Sequence, residues 1–228
     1  MLELYIANKN YSSWSLRPWV LLRELGIPFT EHTILFGQQD TQVQLRAVSG
    51  AAKVPCLRDE DTLVWDSLAI VEYVAEDYPQ VWPRERAARA WARSAAAEMH
   101  SGFFTLRDVC TMNCGIRVAL KAISPALRRE FDRLDELWTE GLECFGGPFL
   151  AGETFSAVDA FFAPVAFRVQ TYGIPLSGRA LAYAARLREL VPMQEWYAAA
   201  LQETARDEPH EAEARAAGEW TADFRRTA

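Results

Sequence analysis

Two prolines within five residues, in Pro79-Gln-Val-Trp-Pro83, separate two stretches of chain whose apolar residues recur with different periods. Proline lacks the N–H that an interior helical residue donates, and its ring collides with the preceding turn, so no helix crosses this segment. Before it, strand-like and helix-like runs alternate every ten residues or so. Beyond it, Ala, Leu, Arg and Glu dominate and the spacing is helical. The chain therefore reads as an α/β unit over residues 1–80 and an all-helical bundle over residues 84–228, joined by a linker at 79–83.

Within the first unit, "LELYIA" at residues 2–7 is a strand, and residues 15–25 form a helix stopped by Gly26 with Pro28 soon after. Residues 29–36 alternate as a second strand, and residues 40–48 make a short polar helix. "VPCLRD" and "DTLVW" then flank Asp59-Glu60-Asp61 as a hairpin. Residues 67–78 close the unit with a helix carrying Leu68, Val71 and Val74 on one side. The order β-α-β-α-β-β-α places a parallel crossover before an antiparallel hairpin, a thioredoxin-like layout. In the second unit, helices are expected over 84–121, 125–145, 156–172, 179–190 and 192–206. The remainder, 207–228, is charged and rich in Ala, with isolated Trp220 and Phe224, and is expected to run over the surface.

Half of the 228 residues are apolar, enough for one large core or two smaller ones. A formal charge of −7 with no Lys/Arg cluster argues against a nucleic-acid partner. No run approaches the roughly 20 apolar residues that span a bilayer. Lys9 follows the short apolar run at 2–7 instead of preceding it, unlike a secretory signal. A cytoplasmic protein handling a small ligand is the expectation. Cys56, Cys110, Cys114 and Cys144 are too sparse for a disulfide framework and read as reduced thiols. Cys110 and Cys114 share a helical spacing but lack the further ligands a metal needs, so no metal is expected.

Three short motifs carry the chemistry. "NYSSWSLRPW" at residues 10–19 puts Ser12, Ser13 and Ser15 where a helix begins, with Pro18 expected in its first turn, where a missing N–H costs nothing. A helix start presents free amides and the positive end of the dipole, so it favours an anion, and one serine is expected to cap it. "KVPCL" spans Lys53 to Leu57. "WDSLAI" puts Asp66 and Ser67 at the front of a helix, with Ser67 as N-cap. In the second unit, His100, Arg107 and Asn113 interrupt an apolar pattern of Met99, Phe103, Leu106 and Met112. Ser156 and Asp159 in "TFSAVDAF" are spaced as a structural capping box.

Together these pieces resemble the cytosolic glutathione transferase family, serine-type, nearest to zeta- and theta-like bacterial members. Ser12-Ser13-Trp14-Ser15-Leu16-Arg17 looks like the zeta Ser-Ser-Cys-Ser-Trp-Arg run, with Trp14 where those members have cysteine. "KVPCL" is similar to the Val-Pro that precedes the family's third strand, whose proline is cis. Asp66-Ser67 matches the family's acidic-Ser pair. The resemblance implies glutathione as co-substrate, held at its sulfur by Ser12 or Ser13, with Ser15 a third possibility. It implies that Val54 and Pro55 pair with the tripeptide backbone and Lys53 with a carboxylate. Asp66 and Ser67 would capture the γ-glutamyl end, and Gln38 or Gln39 the glycyl end. Met99, Phe103 and Arg107 would wall the pocket for a second substrate.

The implied activity is conjugation of glutathione to a small electrophile. The alternatives are a zeta-like, maleylacetoacetate-type cis/trans isomerase and a non-catalytic binding module. A thiol titrating near 8.5 is mostly neutral at pH 7. Lowering its pKa by about one to two units corresponds to about 1.4–2.7 kcal/mol, within reach of one charge-assisted hydrogen bond. A homodimer is also implied, consistent with the aromatic residues Trp65, Tyr73, Tyr78, Trp82 and Trp91 near the linker.

Overall fold

The computed structural model describes residues 1–227. The first unit runs β1 (Leu2–Ile6), α1 (Ser13–Glu24), β2 (Phe29–Thr33), α2 (Thr41–Val48), β3 (Cys56–Asp59), β4 (Thr62–Trp65) and α3 (Ser67–Asp77). Its sheet has the order β2-β1-β3-β4. β1 pairs in parallel with β2 and antiparallel with β3, placing Leu4 opposite Glu31 on one side and Leu57 on the other. This is the expected βαβαββα arrangement. A short 3-10 turn at Pro79–Val81 ends it.

α1 begins at Ser13, two residues earlier than its sequence pattern indicates, so Pro18 lies in the second turn. There its missing N–H leaves the Trp14 carbonyl without an intrahelical donor. Asp66, not Ser67, caps α3, because its carboxylate is the group that accepts the Leu68 N–H at 2.8 Å. Asp66 holds φ +75°, a left-handed value strained for a residue with a Cβ.

The second unit contains α4 (Arg86–Ser101), α5 (Phe104–Val109), β5 (Ile116–Leu120), α6 (Pro125–Cys144), α7 (Ala157–Tyr172), α8 (Gly178–Glu189), α9 (Val191–Gln202), α10 (Glu208–Ala217) and β6 (Gly218–Asp223). It is a helical domain, but the single helix expected over 84–121 is two helices and a strand. α4 stops at Gly102, where an added Cβ would stand 2.8 Å from the Glu98 carbonyl, and Phe103 follows at φ +53°. Ile116, Val118 and Leu120 alternate as β5 and pair antiparallel with β6, Val118 opposite Trp220. Residues 207–227 are thus integral to the domain and not a surface tail, Ala228 lying outside the described residues.

α7 sits at the centre. Fifteen of its sixteen residues are buried, as suits a helix apolar nearly all round, and it packs on α1, α4, α8 and β5. The Ser156–Asp159 capping box forms. Asp159 also accepts from the Leu150 N–H at 3.0 Å and the Tyr183 hydroxyl at 2.8 Å. Burial raises its carboxyl to about 6, against the pull of these donors. Most aromatic residues near the linker are used within the chain: Trp82 is buried, Trp91 packs on Phe145, and Tyr73 donates to Asp59. Trp65 is left 56% exposed. Among the described residues, no helix is long and apolar enough to cross a membrane.

Candidate active site

Two cavities meet at Trp14 and Val54, along the seam where α1 faces the second unit. The first, of about 450 Å³, gathers Lys53, Val54, Pro55, Asp66, Ser67 and His100. Val54-Pro55 is cis. Neither the N–H nor the C=O of Val54 is used within the described chain, so both remain available to an added strand. Ser67 is buried and its hydroxyl has no partner. A buried hydroxyl left unpaired costs free energy, which makes the front of α3 a polar socket. His100 Nε2 lies 3.5 Å from Asp66 Oδ2. Burial lowers the imidazole pKa, Asp66 opposes, and Arg17 and Arg107 lower it further, so His100 is chiefly neutral at pH 7.

The second cavity, of about 370 Å³, holds Ser12 and Ser13 on one side and residues of α5, α7 and α10 on the other. Ser12 Oγ donates to Ser15 Oγ at 2.7 Å, and Ser15 Oγ accepts the Ala7 N–H at 3.2 Å. Ser15 is fully buried and lines neither cavity. Ser12 occupies the N-cap position yet makes no capping bond, so the expected serine cap is absent. Ser13 makes no side-chain hydrogen bond among the described residues and faces the cavity. The N–H groups of Trp14 and Ser15, in the first turn of α1, also take no acceptor. A free hydroxyl and free amides together form an anion-binding end.

A family model for the glutathione S-transferase N-terminal domain matches residues 11–77, and one for the glutathione S-transferase C-terminal domain matches residues 117–201. The chain belongs to the glutathione S-transferase family. It is 24% identical over 161 residues to a stringent starvation protein A homolog of Haemophilus ducreyi, covering 70% of this chain and 71% of that one. It is 23% identical over 183 residues to a probable maleylacetoacetate isomerase of Caenorhabditis elegans, covering 76% and 81%. In three dimensions it is similar to a glutathione transferase homolog from Burkholderia solved with bound glutathione. That match has a TM-score of 0.63 at 22% identity, and covers 87% of this chain and 97% of that one.

Set on this glutathione S-transferase fold, the residues singled out by sequence fall into two groups. Lys53, Val54, Pro55, Asp66 and Ser67 share the first cavity; Ser12, Ser13 and Arg107 share the second. Gln38 joins neither, because it is exposed and its amide turns back to the Phe36 carbonyl within its own loop. Met99 is fully buried in the core and Phe103 is the left-handed residue at the break after α4, so neither lines the two cavities. Phe104, the next residue, is 67% exposed and takes the wall position instead.

Sequence reasoning missed Arg168 and His210, and passed over a cationic column. Arg17 is fully buried with its guanidinium 4.1 Å from the Trp14 ring and 4.9 Å from the Phe161 ring, and none of its three nitrogens has a partner. Burial pushes its pKa well down, and Arg168 and Arg107 push it further. Arg107 lies 5.1 Å from the Trp14 ring. His210 stacks on Tyr11 and Phe36 at the mouth of the second cavity. Only the helical spacing of Trp14 and Arg17 was visible beforehand; Arg168 and His210 come from distant helices, and no local pattern marks them.

The loop leading into α1 is fastened by the second unit. Glu203 accepts the N–H groups of Lys9 and Asn10 at 2.6 and 3.1 Å. Asn10 donates to Asn113 at 2.9 Å and accepts the Gly115 N–H at 3.0 Å. Asn113, which interrupts the apolar pattern in the sequence, is therefore a clamp on the serine loop.

Proposed function

We propose that this protein binds glutathione across the two cavities and presents its sulfur as thiolate to a small electrophile. The tripeptide's γ-glutamyl end enters the socket of Asp66 and Ser67, its backbone pairs with Val54, and Lys53 meets a carboxylate. The sulfur then lies at the start of α1. The observation that carries this reading is the free Ser13 hydroxyl beside the unpaired Trp14 and Ser15 amides. Ser12 donates to Ser15 and holds the loop, so Ser13 supplies the hydrogen bond to sulfur.

The mechanism needs no base that keeps the proton. The thiol releases its proton to solvent, and the anion is held by one O–H donor, the amide end of the helix and the positive charge of Arg17 behind Trp14. Catalysis consists of that stabilisation plus proximity to the second substrate in the cavity beside it. Cys56 contributes no redox chemistry, since it is buried and burial raises its thiol. The protein acts as the family's usual homodimer, and the exposed Trp65 lines the first cavity. Retention on immobilised glutathione and turnover of chlorodinitrobenzene test the reading. Failure of both would favour a binding module that keeps the fold without the activity.

A further inference from the structure

The second cavity has a floor of buried positive charge that the activation of glutathione does not require. Arg168, on α7, is 3% exposed. Its Nε donates to the Cys110 carbonyl at 2.7 Å, which fixes the guanidinium plane, while Nη1 is buried without a partner and the group lines the cavity. Arg107 lines the same cavity, its one side-chain hydrogen bond among the described residues going to the His100 carbonyl at 3.2 Å. Neither arginine pairs with a carboxylate among the described residues. The acidic residues at this cavity, Asp108 and Glu213, are both exposed, where water and salt screen them. A guanidinium buried with an unused N–H edge is destabilising unless something planar and anionic meets it. Its fork geometry suits a carboxylate.

We propose that the second substrate is a carboxylate-bearing electrophile, its carboxylate seated on Arg168 and Arg107 and its reactive carbon directed back toward Ser13. This rests on the glutathione-binding reading above and names the substrate class of that site. The apolar part of the molecule lies against Phe104, Met112 and Trp14, which share the cavity. With an aryl chloride, the S–C bond forms at the ring carbon, chloride leaves with the C–Cl electron pair, and the thiol proton goes to solvent. With an unsaturated acid, the S–C bond forms as the C=C π pair moves toward the carboxylate and is then protonated by solvent.

The test compares para-chloro-meta-nitrobenzoate with its methyl ester, each rate divided by its uncatalysed rate with glutathione. The acid is expected to be favoured by at least about tenfold in kcat/KM, the difference that hydrogen bonds to a charged group supply. Arg168→Gln keeps a donor toward the Cys110 carbonyl and is expected to collapse the acid-to-ester ratio, mainly through KM for the acid. Arg107→Gln, at a half-buried position, gives the same direction should the α7 variant fold poorly. Equal use of acid and ester by a protein that still binds immobilised glutathione overturns the proposal alone. Loss of glutathione retention together with both turnovers overturns the underlying reading as well.

Discussion

Tyr11 donates its phenolic proton to Glu211 Oε1 across 2.6 Å, joining the residue beside Ser12 to a helix near the far end of the chain. Arg225 pairs with the same carboxylate, and both members of that ion pair are buried. Burial by itself would raise the Glu211 carboxyl, but Arg225 and Tyr11 hold it below the ordinary range. Removing one partner of a buried pair leaves the other charge uncompensated, at a cost of about 3–5 kcal/mol. Glu211→Gln is expected to lower the free energy of urea unfolding by that order. Tyr11→Phe removes only a hydroxyl and should cost about 1–2 kcal/mol. Small and equal losses would mean that α10 merely lies on the molecule.

The fold was legible because the first unit's elements are short and strongly patterned, with Gly26, Gly50 and Pro79 marking the ends of its helices, and because Asp66-Ser67 and Val54-Pro55 are local pairs that can be read directly from the sequence. The second unit was less so. "IRVAL" and "GEWTAD" lie about 100 residues apart, and each becomes a strand only by pairing with the other, so β5 was absorbed into a helix and β6 into a tail. Ser12 and Ser13 both stood as candidates for the sulfur in the sequence; the bond from Ser12 to Ser15 that distinguishes them depends on where α1 begins, which the local pattern places two residues late. Arg168 reads as an ordinary helical arginine until α7 is seen to be buried on nearly every side.

The Arg17 guanidinium is held between Trp14 and Phe161 with no hydrogen bond among the described residues, a burial that opposes folding and favours an anion nearby. Arg17→Met retains the volume and removes the charge. It is expected to raise unfolding stability by about 1–4 kcal/mol, as apolar replacements of buried charges do. The thiol of bound glutathione should at the same time titrate at a higher pH. A destabilised variant with an unchanged thiol titration would show that the guanidinium serves packing alone.

Asp159 gives a pH signature in stability. Burial raises its carboxyl from 3.8 to about 6 in the folded protein. The folded state therefore binds the proton more tightly than the unfolded chain, so this residue's contribution is fullest below about pH 4 and is lost as pH rises through about 6. The shift of about two units corresponds to about 3 kcal/mol. Unfolding free energies of the wild type and Asp159→Asn, measured across that interval, should show the wild type's advantage falling by that amount. A constant difference between the two proteins would contradict the assignment.

The most direct measurement is the ultraviolet titration of the glutathione thiol bound to the wild type, Ser12→Ala and Ser13→Ala. The wild-type complex should ionise well below the ordinary thiol value of about 8.5. Ser13→Ala should move that ionisation up by about one unit or more, the worth of one charge-assisted hydrogen bond, and Ser12→Ala should move it less. If both variants, and the double variant, titrate as the wild type does while still binding glutathione, the sulfur does not lie at the start of α1.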